Sequence, residues 1–213
     1  MKKFLKDLFN IPNSVSMVRL VTTPFIAIFW LGFDMPVVAL TIGVIAGISD
    51  LFDGILARKL NQITELGALI DQLGDLVFES TSLLVAIMAG HLWVGWLLIY
   101  LFREFTVMVI RAFVIGKGGS LPSTWIGKAK SSLLQWAFFL LYLGMILSRP
   151  DSSSSEWSIA GITPGPLLIF GSMISILTGL AVGLISGFSY LKAFALFYVD
   201  NIADKEKEGD GNI

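Results

Sequence analysis

Long apolar stretches separated by short polar breaks extend over most of this chain. A helix needs about 20 apolar residues to cross the hydrocarbon core of a bilayer, and the stretches reach or exceed that length. The pattern predicts an all-α, polytopic membrane protein with about six transmembrane helices. We expect these helices to span roughly residues 14–33, 36–60, 63–90, 92–115, 125–147 and 166–188.

The two ends of the chain differ from its apolar middle. In residues 1–10, lysines and apolar residues recur at helical spacing, which predicts an amphipathic helix at the membrane interface. A frayed basic terminus is the alternative. Residues 200–213 are rich in charge, and we expect a disordered cytoplasmic tail there. A single transmembrane domain would then occupy residues 11–199.

Composition supports a membrane protein and removes several other classes. The chain is 55% hydrophobic with a mean hydropathy of +0.79, which leaves too few polar residues to cover a soluble globule. It contains no cysteine, which excludes disulfides and thiolate metal sites. A net charge of −1 without a basic arm gives no indication of nucleic-acid binding, so membrane lipids are the expected surroundings. No cleavable signal peptide is expected, because the first apolar run is full length.

Basic residues gather on one side of the predicted bundle. They occur in the N-terminal segment, in the turn at 58–62, in the segment 117–130 and in the C-terminal tail. The positive-inside rule assigns such segments to the cytoplasm. We therefore expect both termini, and the acidic site described next, to face the cytoplasm.

Acidic residues lie inside two of the apolar segments, where each charged side chain costs about 2.5–3.5 kcal/mol on insertion scales. Asp50 and Asp53 are three residues apart, and Asp71 and Asp75 are four apart, so each pair shares a helix face. If the chain turns at 61–62 into an antiparallel helix pair, Asp53 comes level with Asp71 and Asp50 with Asp75. The spacing therefore predicts four carboxylates in one pocket.

Four carboxylates that close together cannot all stay ionised without a counter-charge. Oxygen ligands are those that a hard divalent cation such as Mg2+ prefers, and a chain with no cysteine and one histidine offers little to softer metals. One or two such ions would neutralise the cluster and leave positions for phosphate oxygens. The residues alone thus predict a metal–phosphate site in the membrane.

The same stretch resembles the signature D-x2-D-G-x2-A-R-x8-G-x3-D-x3-D of the CDP-alcohol phosphotransferase family. It matches at every fixed position, namely Asp50, Asp53, Gly54, Ala57, Arg58, Gly67, Asp71 and Asp75. The resemblance implies that Asp50, Asp53 and Asp71 ligate one or two Mg2+ or Mn2+ ions and that Asp75 completes the metal site. It further implies that Asp75 is the base for the attacking hydroxyl.

The resemblance also implies a binding surface for the CDP moiety. Its members would be Asp50, Asp53, Gly54, Ala57, Arg58 and Gly67. In this interpretation the small residues let the nucleotide approach the helix closely. Taken without the aspartates, the same small residues are explained by tight helix packing in a membrane.

Three further segments resemble the phosphatidylglycerophosphate synthase and cardiolipin synthase branch of that family. They are N-I-P-N-S-V-S-M-V-R at 10–19, R-E-F followed by Arg111, and G-K-A-K-S at 127–131. The resemblance implies transfer of a phosphatidyl group from CDP-diacylglycerol to a small alcohol, first of all glycerol 3-phosphate, with release of CMP. It also implies a homodimer. Arg111, Lys128 and Lys130 would bind a phosphorylated acceptor.

One departure keeps other acceptors open. The branch usually reads D-P-x-A-D-K where this chain reads D-Q-L-G-D-L at 71–76. Inositol phosphate, phosphatidylglycerol or another small alcohol are therefore alternative acceptors. A proton or ion transporter is the alternative from a different class, although it would distribute its charges along a path across the membrane.

Two further charged residues lie deep in the predicted helices. A turn near residue 91 brings Glu79 level with Arg103, and we predict a mainly structural ion pair between them. Arg19, in the first helix, either contacts a phosphate or extends to the lipid headgroups.

Overall fold

The computed structural model describes residues 10–59, 65–117, 125–149 and 163–210. Side-chain positions are described throughout these ranges except at 11–12, 51–58, 65–66, 68, 125–126, 128 and 200–210. All regular secondary structure in these ranges is helical. The helices are α1 (Ile11–Thr22), α2 (Pro24–Ala27), α3 (Pro36–Lys59), α4 (Glu65–Met88), α5 (Val94–Gly116), α6 (Trp125–Leu147) and α7 (Pro164–Asp210).

The first predicted helix is present as an interrupted span. Asn10 caps α1 by accepting a 2.9 Å hydrogen bond from the backbone N–H of Asn13. Pro24 starts the short α2, because proline lacks the N–H that a continuous helix would need at that position. A π-helical turn at Ile28–Gly32 then completes the span. A change of helix type therefore separates Arg19, in α1, from the turn that precedes α3.

Three of the described helical stretches are long and apolar enough to cross a membrane by length and composition. They are Asn13–Gly32, Ala129–Leu147 and Pro164–Val199. The charged residues within α4 and α5 set those two helices apart from this group. An integral membrane protein is the conclusion that these helices support, and the total of six transmembrane helices remains a prediction.

The helices pack around one apolar core, and much apolar surface remains on the outside. Trp30 meets Tyr142 edge to face at a centroid distance of 4.8 Å, which ties the first span to α6. Phe102 and Phe188 are 76% and 71% exposed on the outer surface, as expected for side chains that face lipid. The fully buried centre includes Leu83, Leu134, Phe138, Leu141 and Ile176.

The last helix corrects the prediction for the C-terminus. The sequence predicts a helix to about residue 188, leaves open whether residues 190–199 continue it or lie along the interface, and predicts a disordered tail over 200–213, but α7 continues through Asp210. Residues 203–208 include an alanine, two lysines and two glutamates, which are good helix formers, so an established helix can propagate through them. At 1.5 Å per residue α7 is about 70 Å long, so its C-terminal part must extend beyond the hydrocarbon core. Residues 1–9 and 211–213 lie outside the described residues, so the predicted interfacial helix stays a prediction.

A polar contact closes the turn between α2 and α3. Asp34 has a positive φ of 52° in this turn, and its Oδ1 accepts a 2.5 Å hydrogen bond from Nη2 of Arg149, just beyond α6. The hydrogen bond and the positive charge of Arg149 hold the pKa of Asp34 below its usual value. This contact connects two helix ends on the side of the bundle opposite the acidic site.

Candidate active site

Helices α3 and α4 bring three of the predicted carboxylates together. Asp50 comes from α3, and Asp71 and Asp75 lie one turn apart on α4. One oxygen from each of the three lies within 4.8 Å of the others. Asp53 belongs to the helical backbone of α3, but its side chain lies outside the described residues, so its place in the cluster stays a prediction.

The three carboxylates form a partly open site. The side chains of Asp50, Asp75 and Asp71 are 20%, 29% and 51% exposed, so Asp71 marks the open side. Oδ1 of Asp75 is buried and accepts no well-formed hydrogen bond from the described residues. Oxygen-only donors at this separation fit a hard divalent cation.

Arg19 of α1 lies inside this cluster, although the sequence left its role open. Its side chain is 1% exposed, and Nη1 contacts Asp50 Oδ1 and lies 3.3 Å from Asp75 Oδ1. Nη2 donates to the carbonyl oxygen of Asp71 at 3.1 Å and to Oδ1 of the same residue at 3.3 Å. The alternative in which Arg19 extends to the headgroups is wrong, because an inward guanidinium gains three carboxylate partners.

Gln135 is a second contributor that the sequence analysis missed. Its Nε2, on α6, donates a 3.1 Å hydrogen bond to Oδ2 of Asp50. The two oxygens of Asp50 are therefore held from different helices, one by Arg19 and one by Gln135. A glutamine in an otherwise apolar stretch of α6 was the available signal, because a polar side chain inside a membrane helix needs a partner.

A second polar cluster lies further along α4 and corrects the predicted Glu79–Arg103 pair. Glu79 is fully buried, and its Oε2 lies 2.9 Å from Nζ of Lys130. Arg103 contacts Glu104 instead and donates a 3.0 Å hydrogen bond to the carbonyl oxygen of Gly183 on α7. Arg103 is directed towards α7, and Lys130 of α6 reaches Glu79. The sequence placed Glu79 and Arg103 at the same height along their helices. It could not show how α5 is rotated about its axis, and that rotation decides which neighbour Arg103 faces.

Lys130 was predicted to bind the acceptor, and the structure assigns it other partners. Its side chain is 5% exposed. Its Nζ lies 2.7 Å from Oε1 of Glu104 and 2.9 Å from Oε2 of Glu79. The ring of Tyr100 lies 5.2 Å from its ammonium group. In this arrangement the ammonium group neutralises two buried carboxylates, and the role of Lys130 toward the acceptor stays a prediction.

The remaining predicted residues are placed only in part. Nη2 of Arg111 donates a 2.5 Å hydrogen bond to the hydroxyl of Tyr190 on α7. Gly67 is half-buried near the start of α4. The side chains of four others, namely Asp53, Ala57, Arg58 and Lys128, lie outside the described residues, and Gly54 lies on the same stretch of α3. Their predicted roles toward CDP and the acceptor stay predictions.

A cavity of about 190 Å³ adjoins the aspartate cluster. It lies between the first span and α3, and Arg19 borders both the cavity and the cluster. Thr22 and Ser49 add polar groups near Arg19. The remaining walls are apolar and include Val18, Phe25, Phe29, Ile42 and Ile45. A polar end with apolar walls suits a ligand that is itself amphipathic.

The sequence matches a known family model and is similar to several named proteins. The sequence model described as CDP-alcohol phosphatidyltransferase matches residues 9–185. Proteins named CDP-diacylglycerol–glycerol-3-phosphate 3-phosphatidyltransferase are similar over most of their length. The one from Sodalis glossinidius is 33% identical over 176 residues, which cover 79% of this chain and 93% of that protein. The one from Escherichia coli is 30% identical over 178 residues, covering 80% and 94%.

Proposed function

Because this chain belongs to the CDP-alcohol phosphatidyltransferase family, we propose that it transfers the phosphatidyl group of CDP-diacylglycerol to glycerol 3-phosphate. The second product would be CMP. The observation that carries the proposal is the meeting of Asp50 with Asp71 and Asp75, all three of which belong to the family signature. The names of the similar proteins support glycerol 3-phosphate as the acceptor.

The four signature aspartates would hold one or two Mg2+ or Mn2+ ions. When bound, a divalent ion would neutralise charge on the diphosphate and on the departing CMP. The described residues support this role through their oxygen-only donor set. Gln135 and Arg19 would keep Asp50 oriented from two sides.

Asp75 would act as the general base of the transfer. The acceptor hydroxyl loses its proton to the Asp75 carboxylate as its oxygen forms a bond to the lipid-side phosphorus. The bond between that phosphorus and the oxygen of CMP breaks, and CMP leaves with the electron pair. A positioned base of this kind typically contributes about 10²- to 10⁴-fold to the rate. Its location on α4, one turn from Asp71, supports an approach along the α4 side of the cluster.

The substrates would occupy different sides of the cluster. We assign CDP to the small residues and the arginine of the signature, namely Gly54, Ala57, Arg58 and Gly67. The cavity beside Arg19 would receive an apolar part of the lipid, since its polar end adjoins the aspartates and its walls are apolar. Arg111, Lys128 and Lys130 would bind the acceptor phosphate. A cytoplasmic opening of the site and a homodimer complete the proposal.

The proposal is tested by supplying different acceptors to the purified protein. The protein is reconstituted with CDP-diacylglycerol and Mg2+, and CMP release is measured with glycerol 3-phosphate, inositol phosphate or phosphatidylglycerol. We expect glycerol 3-phosphate to give the fastest release. Faster release with another acceptor would assign that acceptor instead, in line with the departures at Gln72, Gly74 and Leu76. Absence of CMP release with every acceptor would remove the proposed reaction.

A further inference from the structure

The guanidinium of Arg19 occupies the space among the carboxylates of the proposed metal site. It touches Asp50 and lies 3.3 Å from an oxygen of Asp71 and 3.3 Å from an oxygen of Asp75. It approaches from α1, whereas its partners belong to α3 and α4. With only 1% of its side chain exposed, this arginine is fixed among its partners.

Gly74 provides the room for this arrangement. A Cβ atom at position 74 would lie 2.5 Å from Nη2 of Arg19, 3.0 Å from Nε and 3.1 Å from Cζ. A guanidinium held by three carboxylates can move away from such a methyl group only by giving up part of those contacts. The absence of a side chain at position 74 is therefore what lets the guanidinium lie against α4 at this point.

A divalent cation bound by these carboxylates would share its ligands with a permanent positive charge. A guanidinium is not deprotonated in proteins, and like charges at this range repel strongly in a partly buried site. If the Arg19 guanidinium weakens the binding of the metal ion to the carboxylates, the metal ion weakens the contacts of the guanidinium with them by the same factor.

We propose that Arg19 is a positioning residue that competes with the divalent cation for the aspartate cluster. It holds Asp50, Asp71 and Asp75 together and lowers their affinity for the metal. The diphosphate of the lipid substrate offers this arginine an alternative anionic partner. Substrate binding would therefore release the carboxylates and strengthen metal binding. The inference rests on the metal-binding role given to the aspartates in the proposed function.

The test measures Mn2+ binding by the full chain in detergent without any substrate. Divalent ions are first removed with a chelator, and free Mn2+ is then followed by electron paramagnetic resonance. We expect Arg19→Gln to bind Mn2+ roughly tenfold more tightly than wild type, within the usual range of coupling between two ligands. A merely structural role would give the opposite result, because a disordered cluster binds the ion less well.

Gly74→Ala provides a second variant that keeps the arginine. The added methyl group displaces the guanidinium, so we expect tighter Mn2+ binding than wild type, by a smaller factor than for Arg19→Gln. Arg149→Gln is the matched control, since it removes the same charge from the Asp34 pair at the opposite side of the bundle. Its Mn2+ affinity should equal that of wild type.

The outcomes separate this inference from the proposed function. If wild type binds Mn2+ and Arg19→Gln binds it equally tightly or more weakly, the competition is overturned. The metal role of the aspartates would remain intact. If Arg19→Gln does not fold, the Gly74→Ala variant decides. Mn2+ affinity equal to or lower than that of wild type would then overturn the competition. Absence of Mn2+ binding in both wild type and Arg19→Gln would overturn the competition, and absence of CMP release by wild type with Mg2+ as well would overturn the proposed function.

Discussion

Two polar clusters lie along α4, and they differ in charge balance and in exposure. The first contains three described carboxylates, those of Asp50, Asp71 and Asp75, against the single guanidinium of Arg19. The second contains Glu79 and Glu104 against Lys130 and Arg103. Carboxylates are thus in excess in the first cluster, and the charges are equal in number in the second.

Exposure follows the same division. Asp71 is 51% exposed at the open side of the first cluster, whereas side chains in the second are 10% exposed or less. In a buried cluster with equal numbers of positive and negative side chains, the protein itself neutralises the charges. A partly open cluster with excess negative charge is compatible with a cation from outside. In this chain the proposed metal site is thus the cluster whose charge the described residues leave unbalanced, and the balanced cluster has a structural role.

The first prediction concerns the unbalanced cluster and has the largest expected effect. Asp75→Asn should lower the rate of CMP release by about 10²- to 10⁴-fold, because an amide cannot accept the proton of the acceptor hydroxyl. The unfolding temperature in metal-free buffer should not fall, since the change removes one of several like charges. Steady-state kinetics and thermal unfolding check the two parts.

Asp34→Asn is the matched control for that variant. It makes the same chemical change in the turn between α2 and α3, far from the cluster, and should keep wild-type kinetics. A rate for Asp75→Asn within about tenfold of wild type would be too high for loss of a general base.

The second prediction concerns the balanced cluster. Lys130→Met leaves Glu79 and Glu104 buried without their shared cation, and breaking a buried pair in this way typically costs about 3–5 kcal/mol of folding stability. We expect a large fall in unfolding temperature. The double variant Lys130→Met with Glu79→Gln should recover part of it, because the second change removes one unpaired charge. A Lys130→Met variant with wild-type stability would show that the second cluster does not need its charge balance.

The third prediction concerns the partner that α6 gives to Asp50. Gln135→Leu removes a hydrogen bond to a carboxylate, and such bonds contribute about 1.5–3 kcal/mol. We expect an activity loss of about tenfold, smaller than for Asp75→Asn, with an increased Mg2+ requirement. Titration of activity with Mg2+ measures both. Trp136→Leu, at an exposed neighbouring position on α6, is a suitable control and should behave like wild type. Equal Mg2+ requirements for Gln135→Leu and wild type would contradict the assignment.

The smallest effect is expected at the turn between α2 and α3. Because Arg149 lowers the pKa of Asp34 in the folded protein, the contact stabilises the fold above the ordinary pKa of aspartate, about 4, and the stabilisation is lost as the pH falls through the lowered value. The unfolding temperature of Asp34→Asn should be slightly lower than that of wild type at neutral pH. The difference should shrink in acid, and a difference that grew in acid would contradict this account.

Helix positions and the aspartate cluster followed from sequence because their signals are local. The bounds of α3 and α4 lie within two residues of those predicted from the apolar pattern. The spacing of Asp71 and Asp75 fixes their shared face once a helix is assumed, and a short connection brings Asp50 to them. Neither step requires knowledge of how distant helices are rotated.

The partners from distant helices did not follow, because they depend on rotation and tilt. Arg19 enters from α1, and Lys130 from α6, so their partners depend on packing that no local spacing records. The prediction for Arg103 placed it at the correct level but facing the wrong neighbour. Gly74 shows the same dependence, since a glycine within a helix does not record which side chain from a distant helix approaches it, here Arg19.

The most direct test of the metal-dependent transfer is formation of labelled lipid from labelled glycerol 3-phosphate and CDP-diacylglycerol in reconstituted vesicles. Its dependence on divalent ions is measured in wild type and in Asp71→Asn. The account predicts that chelation abolishes the lipid product, that Mg2+ restores it in wild type, and that it does not do so in Asp71→Asn. Undiminished product in the presence of excess chelator, or equal recovery in the variant, would contradict a metal site formed by Asp50, Asp71 and Asp75.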